Sequence, residues 1–141
     1  MILGIGIDLV DSRRIKKLMG QHPIRFIEKY FTAHEAAHVQ QYEDIDQQAL
    51  SLAKRFAAKE ACAKALGTGI QDGVTMKGIA ITNDSLGKPF LTLSDGALDR
   101  MMSMAAMASE RADGEGKQPV IHLSMTDEPP YAQAQVLIEI A

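Results

Sequence analysis

Apolar residues run from Ile2 to Val10 with one acidic interruption at Asp8, and such a run predicts a buried strand. Asp11 or Ser12 can cap a short basic helix that reaches about Met19 and stops at Gly20. Gln21-His22-Pro23 marks a break, because proline disfavours helix in the residue before it. Ile24, Ile27 and Phe31 have helical spacing. Thr32-Ala33-His34-Glu35 is a capping-box pattern and predicts another helix, ending in the polar stretch Glu43 to Asp46. Asp46 can then cap a long helix that reaches Leu66, with Gly67 as the left-handed residue that closes it. Gly78–Thr82 and Pro89–Ser94 read as two strands of a hairpin around Asn83-Asp84-Ser85-Leu86-Gly87-Lys88. Ser94 or Asp95 opens an Ala- and Met-rich helix to about Arg111, followed by an exposed loop over 112–119. Val120–Met125 and Ala132–Ile140 are the last strands, joined by Asp127-Glu128-Pro129-Pro130. No repeat or linker divides the chain, so residues 1–141 form one domain. Helices grouped ahead of hairpin-like strands indicate an α+β class with a mainly antiparallel sheet.

Composition narrows the function classes. Apolar residues make up 46% of the chain, while aromatics make up 5% and Trp is absent, so Ala and the eight Met fill the interior. The single Cys62 excludes an internal disulfide and reads as a small packing residue. The apolar start lacks a basic n-region and a cleavage site, and no run reaches membrane-spanning length; a cytoplasmic protein is expected. A net charge of −3 argues against bulk nucleic-acid binding. Yet Arg13, Arg14, Lys16, Lys17, Arg25 and Lys29 crowd the first thirty residues. From charge alone this is a solvated helix face; a basic patch on an acidic protein also suits an acidic partner.

Chemistry concentrates in Arg55 to Gly69. Alanine makes the segment helical without help, and Glu60 and Lys64, four apart, share a face. Arg55 and Lys59 lie one turn earlier, and Gly67-Thr68-Gly69 can present backbone N–H groups to phosphate or simply end the helix. In the first strand, Gly4 and Gly6 permit close backbone approach, and a buried Asp8 must be paired or hold a metal. Carboxylates beside several cations are what a magnesium–phosphate site requires. The ordinary alternatives are a backbone-bonded Asp8 and a Glu60–Lys64 ion pair. His122 in its apolar strand reads as a core residue on spacing alone, and His34 and His38 lack the carboxylates of a zinc site.

Gly4-Ile5-Gly6-Ile7-Asp8-Leu9-Val10-Asp11 and the Arg55–Gly69 segment, with Leu86-Gly87-Lys88-Pro89 and His122-Leu123-Ser124, closely resemble the bacterial holo-acyl-carrier-protein synthase family. These are the short, single-domain 4'-phosphopantetheinyl transferases. The resemblance implies their fold, and transfer of phosphopantetheine from coenzyme A to a serine of acyl carrier protein in fatty acid biosynthesis. It implies Asp8 and Glu60 as ligands of Mg2+, with either Glu60 or a metal-bound water steered by Asp8 as the base. Lys64 falls at the diphosphate, and Arg55, Gly67, Lys88 and His122 at the coenzyme. Arg14 matches an arginine that meets the carrier, and Arg25 joins that patch. A homotrimer with active sites between subunits is the implied assembly. The chain departs from the family in its longer 112–118 loop and its Pro129-Pro130 turn. Two other readings are a non-catalytic carrier- or nucleotide-binding module and a different magnesium-dependent phosphoryl transferase. Both acids are present, against the first, and no Walker-type Gly-Lys-Ser/Thr loop supports the second.

Overall fold

The computed structural model describes residues 1–111 and 117–140. In chain order the elements are β1 (Ile2–Asp11), α1 (Ser12–Gln21), α2 (Pro23–Tyr30), α3 (Ala33–Val39), α4 (Ile45–Ala65), β2 (Ile79–Asn83), β3 (Pro89–Leu93), α5 (Asp95–Arg111), β4 (Pro119–Glu128) and β5 (Tyr131–Ile140). β5 lies between β1 and β4 in an antiparallel sheet, and β2 pairs with β3 in a separate hairpin. This is the α+β arrangement that the order of elements predicted. The expected 112–118 loop falls mostly outside the described residues.

Local chemistry sets most boundaries. The Asp11 carboxylate accepts from Arg13 N at 2.9 Å and starts α1, which runs one residue past Gly20. Thr32 and Glu35 form the reciprocal capping box of α3. Two expectations shift. α3 ends at Val39, and Asp44 rather than Asp46 caps α4, its carboxylate accepting from Asp46 N at 2.7 Å. An Asp two residues upstream was the better cap because its side chain folds back onto that amide. In α5, Met101 is buried, but Met102 and Met107 face outward, so only part of the Met-rich stretch packs.

The 21-residue α4 crosses the sheet and supplies much of the core. β1 meets it through glycine. A Cβ on Gly4 would collide with the Ala65 carbonyl, and one on Gly6 with the Ala61 carbonyl, so backbone lies directly on backbone. Side chains alternate across a strand. Gly4, Gly6, Asp8 and Val10 therefore face α4, and Ile5, Ile7 and Leu9 face away. Those three are 59%, 52% and 63% exposed, which corrects the expectation of a buried strand. The continuous apolar run hid an alternation between a helix-facing side and an open apolar side.

Candidate active site

Asp8 sits two residues beyond Gly6 on the helix-facing side of β1, so the close glycine contact delivers its carboxylate to α4. Lys64 Nζ donates to Asp8 Oδ1 at 2.9 Å and to the Ile7 carbonyl at 2.9 Å. The lysine thus spans from helix to strand. The Glu60–Lys64 ion pair that their spacing suggested does not form, because Asp8 and the Ile7 carbonyl take the ammonium. Among the described residues, no hydrogen bond or ion pair reaches the Glu60 carboxylate. Partial burial pushes its pKa up, the negative charge of Asp8 pushes it further, and Lys64 opposes both. The two acids therefore repel one another across the β1–α4 contact.

That repulsion is the test of fit for a divalent cation. A carboxylate without a hydrogen bond, raised by a neighbouring carboxylate, is stabilised by positive charge placed between them. Among the described residues no group of three or more His, Cys, Asp or Glu side chains clusters as a metal cage. A pair of carboxylates suits Mg2+, which retains several waters and is typically held by one or two acids plus phosphate.

The other sequence-derived residues do not join this cluster within one chain. Arg55 is five residues before Glu60, about 140° round the helix at 3.6 residues per turn. It is 4% exposed, donates from Nη1 to Ser51 Oγ at 2.7 Å, and reaches Asn83 Oδ1 from Nη2 at 3.5 Å. Its buried Nε has no partner. Asn83 in turn donates to the Gly87 carbonyl at 3.0 Å, so Arg55 is linked to the hairpin that carries the exposed Lys88. His122 is exposed on β4, with Nε2 2.8 Å from Glu139 Oε1, and is not the core residue that its apolar neighbours suggested. Its row runs through Leu137 to Ile5, on the sheet face opposite Asp8. Gly67 and Gly69 have φ of 78° and 69°, and their amides donate back to the carbonyls of Lys64 and Ala63. The helix-stop reading of this turn holds, and those two amides are not turned toward a ligand.

Three comparisons with known proteins bear on this arrangement. Residues 4–113 match the family described as the 4'-phosphopantetheinyl transferase superfamily. The chain is 48% identical over 139 residues to the holo-[acyl-carrier-protein] synthase of Caulobacter vibrioides, covering 99% of this chain and 96% of that protein. It is 45% identical to the enzyme of the same name from Parvibaculum lavamentivorans, over 99% and 97% of the two chains.

The chain belongs to the 4'-phosphopantetheinyl transferase superfamily.

Solved structures agree. The holo-(acyl-carrier-protein) synthase of Bacillus anthracis, in complex with CoA (3',5'-ADP), superposes with a TM-score of 0.77 at 32% identity, covering 100% and 99% of the chains. The Helicobacter pylori synthase in complex with coenzyme A gives 0.75 at 27% identity, covering 96% and 99%. The resemblance read from the four sequence segments is thereby shown at the level of the transferase family.

Sequence reasoning misplaced one cation of this transferase fold and missed its partner. Lys59, a candidate for phosphate, is fully buried: Nζ donates to Glu35 Oε1 at 2.7 Å and to the Met76 carbonyl at 2.8 Å. Burial lowers its pKa while Glu35 holds it up. It cannot reach a phosphate in solvent. Glu35 was legible only as a capping-box residue. Arg100 was also missed; its Nε donates to the Leu66 carbonyl at 2.9 Å and braces the end of α4.

The basic N-terminal helices are solvated, as charge alone suggested, but unequally engaged. Arg13 is bound to Asp11 and Lys16 to Asp46. Arg14, Lys17 and Arg25 are exposed, and among the described residues they carry no ion pair. An apolar cleft of ≈ 360 Å³ is walled by Met19 of α1, Ile24 and Ile27 of α2, and Val39 of α3. No helix is long and apolar enough to cross a membrane, among the described residues.

Proposed function

We propose that this chain transfers the 4'-phosphopantetheine arm of coenzyme A to a serine of apo-acyl carrier protein, with Mg2+, releasing adenosine 3',5'-bisphosphate. The observation that carries the reading is the bond between Asp8 of β1 and Lys64 of α4, with Glu60 one turn away on the same helix and near enough to feel the Asp8 charge. The relatives' names and the coenzyme A complexes of the structural neighbours support the substrate pair.

Asp8 and Glu60 would hold the ion. When bound, Mg2+ would supply positive charge that offsets the charge of the diphosphate and of the leaving bisphosphate. Lys64, already at Asp8, adds a cation to the same place. The carrier's serine oxygen attacks the phosphorus attached to pantetheine, and the bond from that phosphorus to the bridging oxygen breaks. Little covalent work falls to the protein; alignment and charge neutralisation dominate. Glu60 is read as the acceptor of the serine proton, because its oxygens carry no hydrogen bond among the described residues while Lys64 is taken up by Asp8 and Ile7.

Arg14 and Arg25, with Lys17, are read as exposed cations of a face for the acidic carrier. Arg55, Lys88 and His122 are read as the coenzyme-binding residues of a neighbouring copy, because they lie away from Asp8 in their own chain. The open apolar row of Ile5, Ile7 and Leu9 supports such an assembly, a homotrimer in this reading. The place of work is the cytoplasm and the pathway fatty acid biosynthesis.

The test is to incubate the protein with coenzyme A, Mg2+ and apo-carrier and weigh the carrier by mass spectrometry. The carrier gains one phosphopantetheine, and chelation of the metal abolishes the gain. An unchanged carrier mass in the complete mixture would overturn the reading.

A further inference from the structure

Asp8 is fixed by Lys64, but the Glu60 carboxylate has no hydrogen-bond partner among the described residues. Its place in space is therefore decided by the position and roll of α4. The contact between α4 and β1 sets distance, and because Gly4 and Gly6 present no side chain to interlock with the helix, its roll rests on side-chain bonds, those of Lys64 to Asp8 and Ile7 and those of Lys59. Around Glu60 the helix is also smooth. From Ala57 to Ala65 its buried side chains are Ala and Cys, with a single exception, Lys59.

Lys59 is the neighbour of Glu60 in sequence and projects about 100° away round the helix. Its ammonium is bound at 2.7 Å to Glu35 Oε1 and at 2.8 Å to the Met76 carbonyl, and lies 5.4 Å from the centre of the Phe31 ring. Glu35 is anchored as firmly. Its Oε1 also accepts from Thr32 N at 2.8 Å, and its Oε2 accepts from Ile81 N at 3.1 Å. Both side chains are 0% exposed. One buried node thus joins the start of α3, strand β2, the connection that precedes it, and α4 at the residue beside Glu60. A fully satisfied ionic pair in a dry interior has one good geometry, so it fixes angle as well as contact.

We propose that Glu35 and Lys59 are positioning residues for the reaction: together they fix the roll of α4 and so aim the otherwise unsupported Glu60 carboxylate at the divalent ion. The proposal rests on the reading of Asp8 and Glu60 as the carboxylates that hold this ion. Groups that orient a metal ligand without touching the metal commonly govern affinity by roughly 10- to 100-fold. A purely structural pair would change the fraction of folded protein and leave the affinity of the folded molecules alone.

The experiment measures Mn2+ binding by electron paramagnetic resonance, alongside turnover of coenzyme A and carrier. The variants are Glu35→Asp, Glu35→Gln/Lys59→Met and, as reference, Glu60→Gln. Thermal melts establish the folded fraction. Glu35→Asp keeps the charge and shortens the reach, so it gives the reading if the double variant does not fold. The proposal expects folded Glu35→Asp and double-variant protein to bind Mn2+ on the order of 10-fold more weakly. It expects kcat to fall and the KM for carrier to stay. Wild-type Mn2+ affinity and kcat in both folded variants, with both lost in Glu60→Gln, would overturn the positioning role and leave the ion-binding reading standing. Wild-type Mn2+ affinity in Glu60→Gln would remove that reading and the proposal with it.

Discussion

Two acid–lysine pairs hang on α4, and they differ in almost everything except composition. Glu35 and Lys59 are sealed, each 0% exposed, with every carboxylate oxygen engaged. Asp8 and Lys64 are open, with side chains 18% and 51% exposed, and beside them a second acid, Glu60, carries no hydrogen bond among the described residues. Four α4 residues separate the two lysines by somewhat more than one turn. The sealed pair has exhausted its bonding and can only hold. The open one keeps unspent oxygen and charge, which is what binding an ion and a diphosphate requires. The chemistry of a residue on this helix is thus decided by how completely its neighbours satisfy it.

The largest expected break in this comparison is Glu60→Gln. Carrier modification should fall by roughly 10²-fold or more, the scale of losing a group that stabilises charge in a transition state. Stability should move the other way. Burial and Asp8 raise the Glu60 pKa in the folded chain, so the folded form takes up a proton at higher pH than the unfolded form. Metal-free stability contributed by this group therefore declines as pH rises through that window. Gln removes that decline, so thermal melts against pH should show a shallower slope for the variant in metal-free buffer.

Next comes the sealed pair. Lys59→Met leaves Glu35 charged and buried and should cost about 3–5 kcal/mol of stability, as breaking a buried ion pair does. Lys64→Met, at a pair half open to water, should cost under about 1 kcal/mol while impairing turnover. Urea melts of the two variants side by side check the contrast. Equal losses would erase the distinction between the two pairs.

A smaller effect should follow Gly6→Ala. The new methyl meets the Ala61 carbonyl, so β1 and α4 must separate, at about 1–3 kcal/mol. Asp8 moves with its strand, so activity should fall further than the folded fraction does. The smallest effect concerns Cys62, whose thiol burial pushes up to about 12. Iodoacetamide at pH 8 should leave the native protein unlabelled and active, and rapid labelling would contradict the packing of α4.

Much of this was legible in the sequence. Gly4, Gly6 and Asp8 at alternate positions already placed the carboxylate on the face where a backbone could approach, and Glu60 and Lys64 shared a helix face. What sequence withheld was partnership. Lys64 reaches 56 residues back to Asp8 rather than four back to Glu60, and Lys59 reaches Glu35, 24 residues away. Such choices depend on tertiary packing, and local spacing favours the wrong partner. The capping-box pattern of Thr32 and Glu35 was read correctly as a helix start, yet it concealed that the same carboxylate serves Lys59 and Ile81. β1 hid its open face because both sides of the strand are apolar, and alternation cannot be seen when the two faces share a residue type. The Asp44 cap and the early end of α3 were missed for a smaller reason, since several acids there compete for the same role.

The central claim is that Asp8 and Glu60 meet around one divalent ion. Equilibrium titration with Mn2+, followed by electron paramagnetic resonance, addresses it directly in the wild type, Asp8→Asn, Glu60→Gln and Lys88→Ala. The account predicts one bound ion per chain in the wild type and in Lys88→Ala, and loss of that ion in each of the two acid variants. Undiminished binding when either acid is neutralised would contradict it.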